Sequence, residues 1–105
     1  MKKIECFIRE EKLETVIEAL KEADVPGVTL TRVLGFGRQR LMEELDFKPK
    51  IKLEIYANDE ELSSLLDILM LEGRIGKIGD GKIAVFEVRE LLRIRTGEKN
   101  EAALH

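Results

Sequence analysis

Cysteine occurs once in this chain, at Cys6, tryptophan is missing, and the single histidine, His105, is the last residue. Each scarcity closes off a class of chemistry. One cysteine cannot form an intrachain disulfide, which favours a reducing compartment. One terminal histidine leaves no histidine metal site and no histidine acid–base pair, and no Cys/His cluster has zinc spacing. The two serines, Ser63 and Ser64, fall in a segment of helical period, so a Ser-His-Asp set is not available. Four Phe and one Tyr are a thin aromatic supply, and aliphatic side chains must build most of the core. No apolar run approaches the roughly 20 residues needed to span a bilayer. The opening MKKIECFIRE carries charges at Lys2, Lys3, Glu5 and Arg9, unlike a signal peptide. These absences point to a cytoplasmic protein.

What is present fits one small domain of 105 residues. Apolar residues at 44% and charged residues at 37% describe a folded chain rather than a disordered one. The net charge of −3 gives no bulk attraction to nucleic acid or anionic membrane. An anion site therefore has to come from a local cluster of groups.

The periodicity reads as β-α-β-β-α-β. Residues 3–8 alternate, with Ile4, Cys6 and Ile8 on one face. Leu13, Val16, Ile17 and Leu20 repeat at helical spacing, up to the breaker Val25-Pro26-Gly27. Residues 28–36 and 51–57 read as strands, and 82–88 as a fourth. Between the last two, Leu62, Leu65, Leu66 and Leu69 line a second helix, with Asn58 and Glu61 in the spacing of a capping box. Leu92-Arg93-Ile94-Arg95 suggests a short extended piece, and the polar tail 97–105 is expected to be mobile. This order predicts an α+β, ferredoxin-like βαββαβ fold: a four-stranded antiparallel sheet with both helices on one face. The other face, with Phe7, Tyr56 and Phe86 as candidates on it, would be left for subunit contacts.

Three clusters carry the chemistry. Gly35-Phe36-Gly37-Arg38-Gln39 places two glycines at a strand end, where backbone can approach a ligand, followed by a cation and an amide. Alone, it equally describes a glycine-marked bulge. Arg74 to Lys82 contains Gly76, Gly79 and Gly81 with Lys77 and Lys82. Successive N–H groups in such a turn can form an anion nest, with lysines as point charges. The bland alternative is a hairpin turn with solvated lysines. The spacing from Gly76 to Gly81-Lys82 nearly matches a Walker A loop, but Ile83 replaces the hydroxyl residue and a strand follows, which argues against a P-loop NTPase. Arg93 and Arg95, on one side of an extended segment, would suit a polyphosphate. By themselves they would be a solvated surface pair.

Taken in order, these clusters closely resemble the PII signal-transduction family over most of the chain. The specific matches are Gly35-Phe36-Gly37-Arg38-Gln39, then Gly76-Lys77-Ile78-Gly79-Asp80-Gly81-Lys82-Ile83, then Arg93-Ile94-Arg95-Thr96-Gly97-Glu98. The resemblance implies a homotrimer in which residues 1–96 form the domain. Clefts between subunits would bind ATP or ADP. It implies nucleotide contacts from Gly35, Gly37, Arg38, Gln39, Gly79, Asp80, Gly81 and Lys82, with Arg93 and Arg95 reaching over from the neighbour. Gln39 would also meet magnesium, and Lys50, with Gln39, would hold 2-oxoglutarate. The effector loop, 38–49, is several residues shorter than is usual. It has no Tyr, Ser or Thr to be modified, and Ile75 stands where relatives usually carry Thr.

The expected function is nucleotide sensing with no catalytic centre, and regulation of a partner, a transporter or a metabolic enzyme, through loop 38–49. Competing readings are a related sensor of AMP, a cyclic nucleotide or bicarbonate, a slow ATPase, an RNA-binding module, and a purely structural trimer. No nucleic-acid partner is expected, because Phe7 and Tyr56 poorly approximate the aromatic pattern of an RNA-binding sheet.

Overall fold

The structure, a computed structural model, describes residues 1–36 and 47–105. Strand β1 (Lys2–Arg9) leads through a single 3₁₀ turn (Glu10–Lys12) into helix α1 (Leu13–Glu22). Then come β2 (Thr29–Gly35), β3 (Lys48–Ala57), helix α2 (Asp59–Gly73), β4 (Lys82–Glu87) and a last short helix, α3 (Glu101–Leu104). The sheet order is β2-β3-β1-β4, with antiparallel neighbours throughout. This is the ferredoxin-like α+β arrangement read from the sequence, with β1 and β3 at its centre.

Alternation in the central strands decides which face is covered. Ile4, Cys6 and Ile8 pair in register with Ile55, Leu53 and Ile51. These six side chains, with Val16 and Leu20 of α1 and Leu65 and Leu69 of α2, form the core. Each fully buried aliphatic chain contributes about 1.5–3 kcal/mol through removal of its surface from water. Cys6 belongs to this layer, and burial pushes its thiol up to about 11, so it is a packing residue.

The other face carries Lys3, Glu5, Phe7 and Arg9 of β1. Tyr56 and Phe86 flank Lys3 in register, so the three aromatics named above do share this face. Lys3 bridges Glu54 at 2.9 Å and Glu5 at 3.0 Å, and its ammonium lies 5.8 Å from the centre of the Phe86 ring. The hydrogen bonds that Lys3 donates to Glu54 and then to Glu5 raise its pKa.

Two local expectations need correction. Asn58 and Glu61 interact side chain to side chain, Asn58 Nδ2 donating to Glu61 Oε1 at 3.2 Å, and the Asn58 side chain does not cap a backbone N–H. The C-terminal segment is neither an extended strand at 92–95 nor an open tail. Gly97, at φ +74°, donates its N–H to the Arg93 carbonyl, and Leu92 pairs with Lys99, closing a hairpin. Asn100 bonds to both polar groups of the Leu91 backbone, and Glu101 accepts from Asn58. Thr96-Gly97 is turn chemistry, and it overrides the short alternation before it.

Truncating Leu53 at the centre of the core should cost about 2–5 kcal/mol. Urea unfolding of Leu53→Ala checks this; a loss under about 1 kcal/mol would place the core elsewhere.

Candidate anion-binding site

Residues 74–82 join α2 to β4 and lie across the end of the sheet where β1 finishes. Lys82 is in register with Phe7, and Arg9 with Lys50. Backbone contact fixes the approach. Gly81 has φ +103°, and a Cβ built on it would lie 1.7 Å from the carbonyl oxygen of Phe7. Only glycine can pass here.

Side chains complete the attachment. Arg9 donates from Nε to Asp80 Oδ1 at 2.9 Å and from a terminal nitrogen to the Ile78 carbonyl at 2.8 Å. Lys50 Nζ donates to the Gly79 carbonyl. The other Asp80 oxygen accepts from the N–H groups of Ile75, Gly76 and Lys77 at 3.1, 2.8 and 3.3 Å. Partial burial pushes the Asp80 carboxyl up, but Arg9 and the three amides outweigh that and hold it at about 2. The nest expected from the glycine spacing therefore exists, and its three leading amides hold an internal carboxylate. The Asp80 N–H donates to the Lys77 carbonyl at 3.2 Å, so for an external anion this leaves Gly79, Gly81 and nearby cations.

The face around this loop is basic although the chain is acidic. Arg9, Lys50 and Lys52 share it with Lys82 at one end of the sheet. Gly35, in register with Lys48, lies at the same end. Gly35 and the 76–82 cluster thus lie at one end of the sheet, on its opposite edge strands. Gly37, Arg38 and Gln39 fall outside the described residues.

The third cluster goes to the opposite end. β4 carries the chain from Lys82, beside Phe7, to Glu87, beside Lys2, a run of about 17 Å. Val88 then donates its N–H to the Met1 carbonyl. Arg93 and Arg95 belong to the hairpin at this end rather than to one side of a strand. Arg93 pairs with Glu98 at 3.1 Å, which also accepts from Thr96. At this same end, Gly27, Thr29, Glu54, Tyr56, Leu91 and Leu104 are among the residues lining an open cleft of about 300 Å³.

Two elements were missed in the sequence. Arg9 is legible in hindsight as the outward-facing residue following Lys3, Glu5 and Phe7. The cleft depends on the folded-back C-terminal segment, which has no periodic signal. Among the described residues, no group of three His, Cys, Asp or Glu side chains could hold a metal, and no helix is long and apolar enough to cross a membrane.

The depressed Asp80 pKa fixes the sign of an acid effect. The carboxylate's contribution is complete above the unfolded value near 3.8 and is lost as pH falls through about 2. Amide exchange at Ile75, Gly76 and Lys77 should lose its protection over that window in the wild type, relative to core amides. In Asp80→Asn the protection should already be reduced at pH 5.

Comparison with known proteins agrees with this layout. The family model described as nitrogen regulatory protein P-II matches residues 1–98. Nitrogen regulatory protein P-II of Pasteurella multocida (strain Pm70) is 46% identical over 112 aligned positions, covering 99% of this chain and 100% of that protein. The P-II protein of Klebsiella oxytoca and P-II 1 of Escherichia coli (strain K12) show the same identity and coverage. The 112 aligned positions exceed the 105 residues of this chain, so the relatives hold positions it lacks. With a match across nearly its whole length, on a ferredoxin-like sheet with two main helices, the chain belongs to the nitrogen regulatory protein P-II family of signal-transduction proteins.

Proposed function

We propose that this protein senses adenine nucleotides, ATP and ADP, in clefts between the subunits of a cytoplasmic homotrimer. The observation that carries the reading is the placement of two cationic groups at opposite ends of one sheet. Lys82 and the Gly79–Gly81 backbone stand at one end, Arg93 and Arg95 at the other. Separate ends of one chain make poor partners for one polyphosphate, whereas ends of adjacent subunits can close on it from two sides. The open sheet face supplies surface for that association: Tyr56 and Phe86 stay partly exposed on it, around a charge network that is already paired.

In this arrangement the residues divide the work by chemistry. Backbone N–H groups of Gly79 and Gly81 donate to phosphate oxygens, and Lys82 adds a point charge. The guanidinium groups of Arg93 and Arg95 approach from the neighbour and can each offer two parallel donors. The cleft beside Thr29 and Tyr56 lies on the same end as these arginines, where a base attached to the phosphates would reach. Lys50, one hydrogen bond away from Gly79, is positioned to report a carboxylate ligand such as 2-oxoglutarate to the phosphate loop. A magnesium ion, with Gln39 as the side-chain contact, would neutralise phosphate charge. The loop expected at 38–49 is shorter, since Lys48 and Pro49 already belong to β3; it joins strands at the same end of the sheet, so occupancy of the cleft can bias its arrangement for a partner to read. The protein is read as a signal transducer rather than an enzyme.

Calorimetry with ATP, ADP and AMP tests the reading; no binding at millimolar nucleotide would reject it. Lys82→Ala and Arg93→Ala should each weaken ATP binding about 10–100-fold, the worth of one charge-assisted hydrogen bond to phosphate. A mixture of the two variants, unfolded and reassembled together, should regain some wild-type-affinity sites, because a cleft taking its loop from one subunit and its arginines from another can escape both changes. Failure of the mixed trimer to recover any tight sites would exclude a shared cleft.

A further inference from the structure

We infer that Arg9 is a positioning residue for the phosphate loop, acting through Asp80 rather than by touching nucleotide; this rests on the nucleotide-binding reading above. Arg9 is the last residue of β1, and its strand is anchored by the buried Ile4, Cys6 and Ile8. Its guanidinium makes two bonds into the loop at once, to Asp80 Oδ1 and to the Ile78 carbonyl. Asp80 in turn gathers the N–H groups of residues 75–77 on its other oxygen. The result is a continuous chain of hydrogen bonds from the rigid central strand to the turn that precedes Lys82.

The direction of the donors explains why a positioning role follows. Arg9 spends Nε and a terminal nitrogen on the loop itself, and its side chain is only 11% exposed. Asp80 is an anion, and as a direct phosphate contact it would repel the ligand. With both oxygens occupied by Arg9 and the amides, its charge is satisfied inside the loop, and the following Gly81 and Lys82 stay exposed. A lysine at position 9 could keep the charge but not both bonds, because a single ammonium lacks the planar fork that spans Asp80 and Ile78.

The test is ATP titration of Arg9→Gln, Asp80→Asn, the double variant and Arg9→Lys, alongside thermal melting and amide exchange at residues 75–77. Each single variant should lose about tenfold in ATP affinity, and the double variant should be no weaker than the worse single, since the pair acts as one link. Arg9→Lys should fall between wild type and Arg9→Gln. Exchange at Ile75, Gly76 and Lys77 should accelerate in Arg9→Gln while core amides and the melting temperature change little. Should Arg9→Gln not fold, the near-isosteric Asp80→Asn carries the same two readouts. ATP affinity within twofold of wild type in the folded variants, or fully additive losses in the double, would overturn the inference. If the wild type itself binds no ATP, the nucleotide reading fails first, and the exchange data still decide whether Arg9 orders the loop.

Discussion

Where β1 ends, the backbone of Gly81 passes so close to the carbonyl of Phe7 that no side chain fits between them. That approach ties the α2–β4 connection to the centre of the sheet. Everything basic near the site is arranged around it: Lys82 enters its strand from this point, Lys50 reaches Gly79 from the neighbouring strand, and Arg9 closes over Asp80. A connection held only by its two ends would be free to present its amides in many directions. Anchored in the middle, it presents them in one, and preorganised donors lose less entropy when an anion arrives.

Internal carboxylates occupy part of the anion-binding chemistry at both ends of the sheet. Asp80 fills the nest of residues 75–77, and Glu98 pairs with Arg93. The two contacts differ in kind. Asp80 is held by four hydrogen bonds, one from Arg9 at the end of β1 and three from amides of its own loop, and is a fixed part of that loop. Glu98 lies within the same small hairpin as Arg93, and its partly exposed pair is a weak one. A phosphate competing for Arg93 meets little resistance, whereas one competing for the 75–77 amides would have to displace a carboxylate and leave Arg9 uncompensated. The phosphate-type donors therefore sort into a structural set and an available set, a distinction that counting glycines cannot make.

The sheet and its covered face were legible because the central strands alternate cleanly. Ile4-Cys6-Ile8 and Ile51-Leu53-Ile55 leave no second register that buries as much. The glycine run at 76–82 was legible as a turn that gathers N–H groups; that Asp80 would take three of them was not. What resisted reading depends on contacts distant in sequence. Arg9 looks like any strand-end charge until Asp80, 71 residues away, is placed beside it. Leu92-Arg93-Ile94-Arg95 alternates like a strand, but four residues are too few for alternation to outweigh Thr96-Gly97, and the turn prevails. The C-terminal segment carries no period, and it is held instead by single polar contacts such as Asn58 to Glu101.

The open face divides along its length, and the division bears on how copies can pack. Toward Met1 its ions are matched, with Lys3 between Glu5 and Glu54, Lys52 also within reach of Glu54, and two aromatic rings beside Lys3. Toward the loop, Lys50 and Lys82 add cations, while Arg9 is paired with Asp80. Against another copy, the neutralised half can be covered at little electrostatic cost, since its ions keep their partners. Bringing the loop ends of two copies together would set the Lys82 of each against the other's cations. Subunits meeting through the paired half leave the basic end at a boundary between chains, with room for a polyanion rather than a second basic surface. In this view a ligand site between subunits follows from charge placement on the sheet, before any particular nucleotide is considered.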